Sequence, residues 1–204
     1  MTVAPTYLKD LELQNGLVPT QAGEILYQVL PDIEEAFAQP SELVAKLWSR
    51  SAPILGGGQN SIRGELFELI IAIALVKFGL RPFYYQVKLA LIPETDYDFV
   101  IWTRSGPVVI SAKTSLRERI KQAALEAVAL KMVHRRASSY VLTLDHIEAE
   151  NANRKVMAGD LPALTAVIKA DTFEFDELCQ CLGQVEIIEG PTVALVAKSR
   201  AAVK

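Results

Sequence analysis

The sequence contains only two cysteines, Cys179 and Cys181, and only two histidines, His134 and His146. One residue separates the cysteines, which is a poor spacing for a disulfide, and no cysteine–histidine cluster surrounds them. We therefore expect both thiols to be reduced within a helix, and we expect the compartment to be the cytoplasm. Neither histidine has a sequence partner that indicates a metal or catalytic site, so we expect ordinary structural or surface positions for both.

The sequence also lacks any run of 18 uncharged apolar residues, so we expect no membrane span. Residues 1–16 have neither the basic nor the apolar region of a secretory signal peptide. Half of the residues are apolar and 22% are charged, a composition that supports a packed core and argues against wholesale disorder. A length of 204 residues, without internal repeats, suits one domain spanning 1–204.

The chain is slightly acidic overall, but its positive charge is concentrated in one segment. The whole chain carries −3, whereas residues 104–136 carry +6 and the remainder therefore carries −9. A local basic surface on an acidic protein predicts contact with a polyanion on one face. A solvated basic helix would give the same pattern, so both interpretations stay open. The basic residues of this segment are Arg104, Lys113, Arg117, Arg119, Lys121, Lys131, Arg135 and Arg136.

Helical patterns dominate the N-terminal part of the chain. Residues 1–50 are predicted to form a helical extension, followed by a glycine-rich loop over 52–61. A helix that is apolar on nearly all sides is predicted from Ile62 to Gly79, with Ser61 as its cap. Glu65 and Glu68 lie three positions apart on one face of this buried helix. Two carboxylates in such a place require a partner or a function.

Strand patterns follow, and they predict an α/β fold with a mixed central sheet flanked by helices. The turn at 104–106 is so short that the strands on either side of it must be antiparallel neighbours. A helix then leads to a strand parallel to the preceding one. Strands are predicted over 82–91, 97–103, 107–112, 138–144 and 164–170, and helices over 116–134, 148–159 and 174–183. The segment after Pro191 is ambiguous.

Asp98 and Lys113 flank the predicted hairpin at nearly equal distances from its turn. Asp98 is seven residues before Ser105 and Lys113 is eight after it, so the two side chains should lie together at one end of the sheet. With Glu65 or Glu68 arriving from the buried helix, this arrangement predicts a magnesium site. A nearby lysine can orient the attacking water and neutralise charge that builds on a phosphate.

These residues resemble the PD-(D/E)XK nucleases, the fold of most type II restriction endonucleases. In that family an aspartate and a lysine flank a hairpin, and a helical glutamate precedes it. The family's core of a helix, three strands, a helix and a strand corresponds to residues 62–144, within a predicted nuclease core over 62–170. One departure concerns Ser111, which stands where the family's usual acidic residue precedes the lysine by two positions.

The stretch ISAKTSLRERIKQAALEAV, beginning at Ile110, resembles the restriction enzymes that recognise CCGG-type sites. In that subgroup the strand carries Ser-x-Lys, and the missing carboxylate comes from the next helix, about thirteen residues after the lysine. The matching residue is Glu126. The resemblance implies that Asp98 and Glu126 hold Mg²⁺ and that Lys113 positions or activates water, with Glu65 or Glu68 assisting. A solvated helix glutamate is the alternative for Glu126.

Arg117, Glu118 and Arg119 match the subgroup's Arg-(Asp/Glu)-Arg element at the start of this helix. Arginine can donate two hydrogen bonds to guanine and glutamate can accept one from cytosine, so the triplet fits readout of G·C pairs. As an alternative, Ser115 and Glu118 match the capping-box pattern S-x-x-E. The predicted DNA contacts are Arg117, Glu118, Arg119, Lys121 and Arg104.

The resemblance implies a magnesium-dependent type II restriction endonuclease that cleaves double-stranded DNA at a G·C-rich, CCGG-like site. Since palindromic sites mirror two-fold symmetry, we expect a homodimer. A cognate DNA methyltransferase acting on the same site is a further implied partner. Three alternatives stay open: a structure-specific or repair nuclease of the same fold, a DNA-binding module that Ser111 has left without catalysis, and an unrelated α/β protein.

Overall fold

A computed structural model describes residues 20–30, 37–55, 59–92, 95–117 and 119–191, and the backbone of 195–201. A predicted helix around Leu8 lies outside these residues. The helices are α1 (Gln21–Val29), α2 (Pro40–Ser51), α3 (Asn60–Lys77), α4 (Arg119–Val133), α5 (His146–Ala158) and α6 (Phe173–Gly183), with a 3-10 turn at Ala52–Ile54. The strands are β1 (Phe83–Leu89), β2 (Tyr97–Thr103), β3 (Gly106–Ala112), β4 (Ser138–Thr143), β5 (Ala166–Lys169) and β6 (Leu195–Ala201).

The six strands form one mixed sheet in the order β5-β4-β3-β2-β1-β6. The strands β1, β2 and β3 are antiparallel neighbours, and β3, β4 and β5 are parallel. The predicted α/β class, with a mixed central sheet, flanking helices and N-terminal helices, is therefore confirmed. The segment that the sequence left ambiguous contains β6, which pairs antiparallel with β1.

Helix α3 lies in the middle of the main core, between the sheet and the N-terminal helices. Its residues Phe67 and Ile70 are fully buried, in the same cluster as Leu26 of α1, Leu43 of α2 and Phe99 of β2. This position explains the apolar surface on nearly all sides of the helix. The division of the chain into an extension over 1–50 and a core over 62–170 stays a prediction.

Several predicted boundaries were wrong by two or three residues. Helix α3 begins at Asn60, and its cap position is Gln59 instead of Ser61. Helix α4 begins at Arg119 instead of residue 116, and α5 begins at His146 because Asp145 caps it by accepting from the Glu148 amide. The start of α5 thus depends on a side-chain contact that periodicity does not encode, whereas α3 begins without a side-chain cap.

The other face of the sheet carries α4 and α5. Ala123 and Ala127 of α4 and Ala149 of α5 pack with Val141 of β4, and these small side chains let the helices approach the sheet closely. Leu130 of α4 packs into a separate cluster with residues of β1, β2 and β3. None of the helices in the described parts of the chain combines the length and apolarity that crossing a bilayer requires.

Candidate active site

Asp98 and Lys113 form an ion pair where β2 begins and β3 ends. Lys113 Nζ lies 2.7 Å from Asp98 Oδ2, and the same oxygen accepts a hydrogen bond from the Ala112 amide at 2.8 Å. The Lys113 amide continues the ladder to β4 by donating to the Leu142 carbonyl at 2.9 Å. The structure therefore brings together the two residues that the hairpin count had placed at one end of the sheet.

Glu68 is the α3 carboxylate that is directed towards this pair. Its Oε2 accepts hydrogen bonds from Tyr85 Oη at 3.0 Å and from Gln86 Nε2 at 3.1 Å. Burial is the main cause that raises the pKa of Glu68 to about 7, and the negative charge of Asp98 raises it further. Glu65 lies one turn earlier. Burial is the main cause that raises the pKa of Tyr85, and the charges of Glu68 and then Glu65 add to it. The pKa of Glu68 therefore responds to the charge of Asp98.

Glu126 reaches the same region from α4, on the opposite face of the sheet. Its main-chain carbonyl accepts a hydrogen bond from Tyr97 Oη at 3.1 Å, which fixes this turn of α4 beside the start of β2. Burial raises the pKa of the Glu126 carboxyl. A hydrogen bond from Gln122 Nε2 to Glu126 Oε1 at 2.8 Å and the charge of Lys113 lower this pKa, and the charge of Asp98 raises it. Glu126 is therefore partly buried and within electrostatic reach of the Asp98–Lys113 pair.

Ser111 is buried at the end of β3, next to the α4 residues that line the same cavity. Both residues line a small internal cavity of about 10 Å³, together with Tyr97 and Ser139. The serine thus occupies the strand position where the resemblance leads one to expect a carboxylate, and a helix carboxylate lines the same cavity. This placement accords with a carboxylate supplied by α4.

The donor set can be compared with the needs of a divalent metal. Magnesium takes hard oxygen ligands, with one or two carboxylates and the rest from phosphate and water. Asp98 and Glu126 offer such carboxylates, and both contacts that Asp98 makes to protein groups fall on Oδ2. In the described parts of the chain, no three His, Cys, Asp or Glu side chains form a ready-made metal cluster. The residues therefore fit an ion that shares its ligands with substrate and water, and they do not fit a closed structural site.

The loop before α4 is held by a carboxylate that sequence reasoning missed. Glu148 Oε2 accepts hydrogen bonds from the Leu116 amide at 2.5 Å and the Arg117 amide at 3.4 Å. The Arg117 side chain itself is 86% exposed. Ser115 is not at the helix cap, because α4 begins only at Arg119. Glu118, the middle residue of the predicted recognition triplet, lies outside the described residues.

The predicted DNA contacts fall into two groups. Arg117, Arg119 and Lys121 are exposed on the loop and first turn of α4, on the Lys113 side of the sheet. Arg104 lies in the turn at the other end of β2, six residues from Asp98 and so about 20 Å along the strand. It forms an exposed ion pair with Glu186. The structure does not bring Arg104 to the candidate site, because a strand extends its two ends away from each other.

Sequence reasoning missed four residues that shape this site: Tyr85, Gln86, Tyr97 and Glu148. A signal existed for Gln86, since this polar residue directly follows three aromatic residues of β1 and precedes Val87. The structure adds that Gln86 has a left-handed backbone, with φ of 46°. For a residue other than glycine this conformation costs on the order of 1–3 kcal/mol, which other contacts must offset.

Comparison with known proteins gives a structural similarity without a sequence family. No protein-family model matches the chain, and no curated protein matches its sequence. Among solved structures, it is similar to the restriction endonuclease PspGI in complex with substrate DNA, with a TM-score of 0.60 and 16% sequence identity. The similarity covers 86% of this chain and 84% of that one. The chain therefore has a restriction-endonuclease-like α/β fold.

Proposed function

We propose that this protein is a magnesium-dependent type II restriction endonuclease that hydrolyses phosphodiester bonds of double-stranded DNA. The observation that carries the proposal is the Asp98–Lys113 pair, with an Nζ–Oδ2 distance of 2.7 Å, at adjoining strand ends of a restriction-endonuclease-like fold. The similar structure, PspGI, is described in complex with substrate DNA, which supports DNA as the partner.

Asp98 and Glu126 would hold the metal in this proposal. Their carboxylates reach the same region from β2 and α4, and the pKa of Glu126 responds to the charge of Asp98. A bound Mg²⁺ would polarise the scissile phosphate and stabilise the charge that develops on it. The two carboxylates also keep a DNA phosphate at a distance until cations compensate their charge.

Lys113 would position the attacking water and compensate negative charge on the phosphate. Its ammonium group donates to Asp98 Oδ2 in the structure described, so it already lies beside the proposed metal ligand. An ammonium group has three donors, and two of them can therefore point at water or a phosphate oxygen. Glu68 would assist from α3. Because burial raises its pKa to about 7, its carboxyl group can take up or release a proton near neutral pH.

Arg117, Glu118 and Arg119 would read a G·C-rich, CCGG-like site from the major groove. Two observations support this assignment: the Arg117 side chain is 86% exposed, with a long 3.9 Å ion pair to Glu148, and its amide donates to the Glu148 carboxylate, which holds the backbone in place. Lys121 would contact a phosphate. A palindromic site would require a homodimer, and the host would need a DNA methyltransferase of the same specificity.

Digestion of a supercoiled plasmid of known sequence tests this proposal, with Mg²⁺ and with a chelator. Discrete, mappable fragments that require Mg²⁺ support a restriction endonuclease. Smears or degradation from ends would instead support a structure-specific or repair nuclease, and binding without cleavage would support an inactive DNA-binding module. Lys113→Ala should cleave at least about 100-fold more slowly than wild type. Lys169→Ala is the matched control, because Lys169 also ends a strand and pairs with a carboxylate, that of Glu174.

A further inference from the structure

We propose that Gln86 is a positioning residue of the active site, which holds the Glu68 carboxylate towards the Asp98–Lys113 pair. The proposal rests on the nuclease function proposed above and adds a residue that the sequence comparison with nucleases does not supply. Three observations support the proposal: the register of β1 against β2, the faces of the sheet on which the β1 side chains lie, and the hydrogen bonds that Tyr85 and Gln86 donate to Glu68.

The register places Gln86 opposite Asp98 on the neighbouring strand. Tyr85 pairs with Phe99 and Val87 pairs with Tyr97, so the residues between these pairs are Gln86 on β1 and Asp98 on β2. No extra residue is inserted on either strand, which excludes an ordinary bulge. Gln86 nevertheless has a φ of 46° in a strand that has paired neighbours on both sides. The unusual backbone therefore lies directly across from the candidate catalytic aspartate.

The left-handed conformation of Gln86 interrupts the alternation of β1 side chains between the two faces of the sheet. In a regular strand, residues 83, 85, 87 and 89 would share one face of the sheet. Phe83 and Tyr85 instead pack in the core beside α3, while Val87 and Leu89 pack in the cluster on the α4 face. The alternation thus breaks between Tyr85 and Val87, at Gln86.

The neighbouring strand changes face at the same level. Tyr97 packs on the α4 face, whereas Phe99 packs beside α3, although two residues separate them. The break in β2 therefore lies at Asp98. The alternation of side chains between the two faces is therefore interrupted at Gln86 in β1 and at Asp98 in β2, which lie opposite each other.

This break lets two consecutive side chains reach one carboxylate. Tyr85 Oη and Gln86 Nε2 donate to Glu68 Oε2 at 3.0 and 3.1 Å, and the two donors lie 3.2 Å apart. Consecutive strand residues ordinarily point to opposite faces, so this double contact requires the conformation of Gln86. Glycine would adopt the same backbone more easily, but it could not donate to Glu68. A positioning role explains why an amide side chain occupies the place.

The substitution Gln86→Gly separates a positioning role from a structural one. It relieves the left-handed backbone and removes the amide donor. If Gln86 positions Glu68, single-turnover cleavage slows by about 10- to 100-fold, while DNA affinity measured with Ca²⁺ changes little. Cleavage within about twofold of wild type overturns the proposal. Leu91→Gly is the matched control, because Leu91 also has a positive φ, 68°, and its side chain is 85% exposed in the turn after β1; this variant should cleave at the wild-type rate.

A second pair of measurements shows whether Gln86 acts through Glu68. In a Glu68→Gln background, Gln86→Gly should slow cleavage by less than about twofold, because the carboxylate that it positions is already gone. The Tm changes of the two single variants should likewise fail to add in the double variant, and this readout needs no catalysis. If wild type cleaves no DNA, the proposed function fails, but the Tm cycle still tests the contact; additive Tm changes overturn it.

Discussion

Lys113 Nζ and Asp98 Oδ2 are 2.7 Å apart across the β2–β3 hairpin, and their side chains are only 15% and 12% exposed. A carboxylate so shielded from water depends on its partner for stability. In the proposed mechanism, the same lysine also compensates negative charge on the scissile phosphate. The pair therefore links the stability of the metal-free protein to the chemistry proposed for it.

Lys113→Ala is expected to lower the free energy of unfolding by about 3 kcal/mol without metal, since it leaves Asp98 buried and uncompensated. Millimolar Mg²⁺ should restore part of this loss, because the cation would neutralise Asp98 in place of the ammonium group. Urea denaturation with Mg²⁺ and with a chelator measures both effects. Lys169→Ala should show no Mg²⁺-dependent recovery. Equal curves for Lys113→Ala with and without Mg²⁺ would contradict a cation site at Asp98.

Glu68 is expected to make stability fall as the pH rises. Its pKa is about 7 in the folded protein and near 4.5 when exposed, so the folded state holds its proton more tightly. The stabilisation is complete below about pH 4.5 and is lost as the pH rises to about 7. Relative to Glu68→Gln, wild type should lose on the order of 2–3 kcal/mol between pH 5 and pH 8.

Denaturation of both proteins at the two pH values, without metal, measures this difference. Glu65→Gln is the control, because the Tyr85 and Gln86 hydrogen bonds go to Glu68. A difference between wild type and Glu68→Gln that is independent of pH would show that Glu68 is not buried as described.

Glu148→Ala is expected to loosen the loop before α4. The variant removes the carboxylate that accepts from the Leu116 and Arg117 amides, at a cost of about 1–2 kcal/mol. Hydrogen exchange at these two amides should accelerate more than in the rest of the chain. Glu150→Ala, on the same helix, removes only an ion pair with Lys169 at 3.5 Å and should leave the loop protected. Unchanged exchange in Glu148→Ala would rule out Glu148 as the anchor.

Arg117→Ala is expected to weaken recognition of one G·C pair. Loss of a bidentate contact to guanine costs about 1–3 kcal/mol, so cleavage of the cognate duplex should slow by about 10- to 100-fold and discrimination at that base pair should relax. Cleavage rates on duplexes that differ at single positions measure this effect. Arg104→Ala should change the rates little, because Arg104 pairs with Glu186 at the far end of β2. A uniform loss across all duplexes would identify Arg117 as a phosphate contact instead.

The neighbourhood of Asp98 and Lys113 could be predicted because a short turn fixes which residues of two antiparallel strands face each other. The turn follows directly from Arg104, Ser105 and Gly106, so counting along the chain was sufficient. The choice between Glu65 and Glu68 could not be made in this way. It depends on donors from β1, 17 and 18 residues further along, whose faces are set by the backbone of Gln86.

By itself, the sequence determined the order of helices and strands, the hairpin, and the presence of carboxylates and a lysine near its open end, because these follow from periodicity and short turns. Only the tertiary structure decided that α4 begins at Arg119 and that Glu148 holds the loop before it. It also decided that the side-chain alternation of β1 is interrupted at Gln86, opposite Asp98. These features depend on contacts between residues distant in the chain, where local propensity is overridden by the need to satisfy buried polar groups.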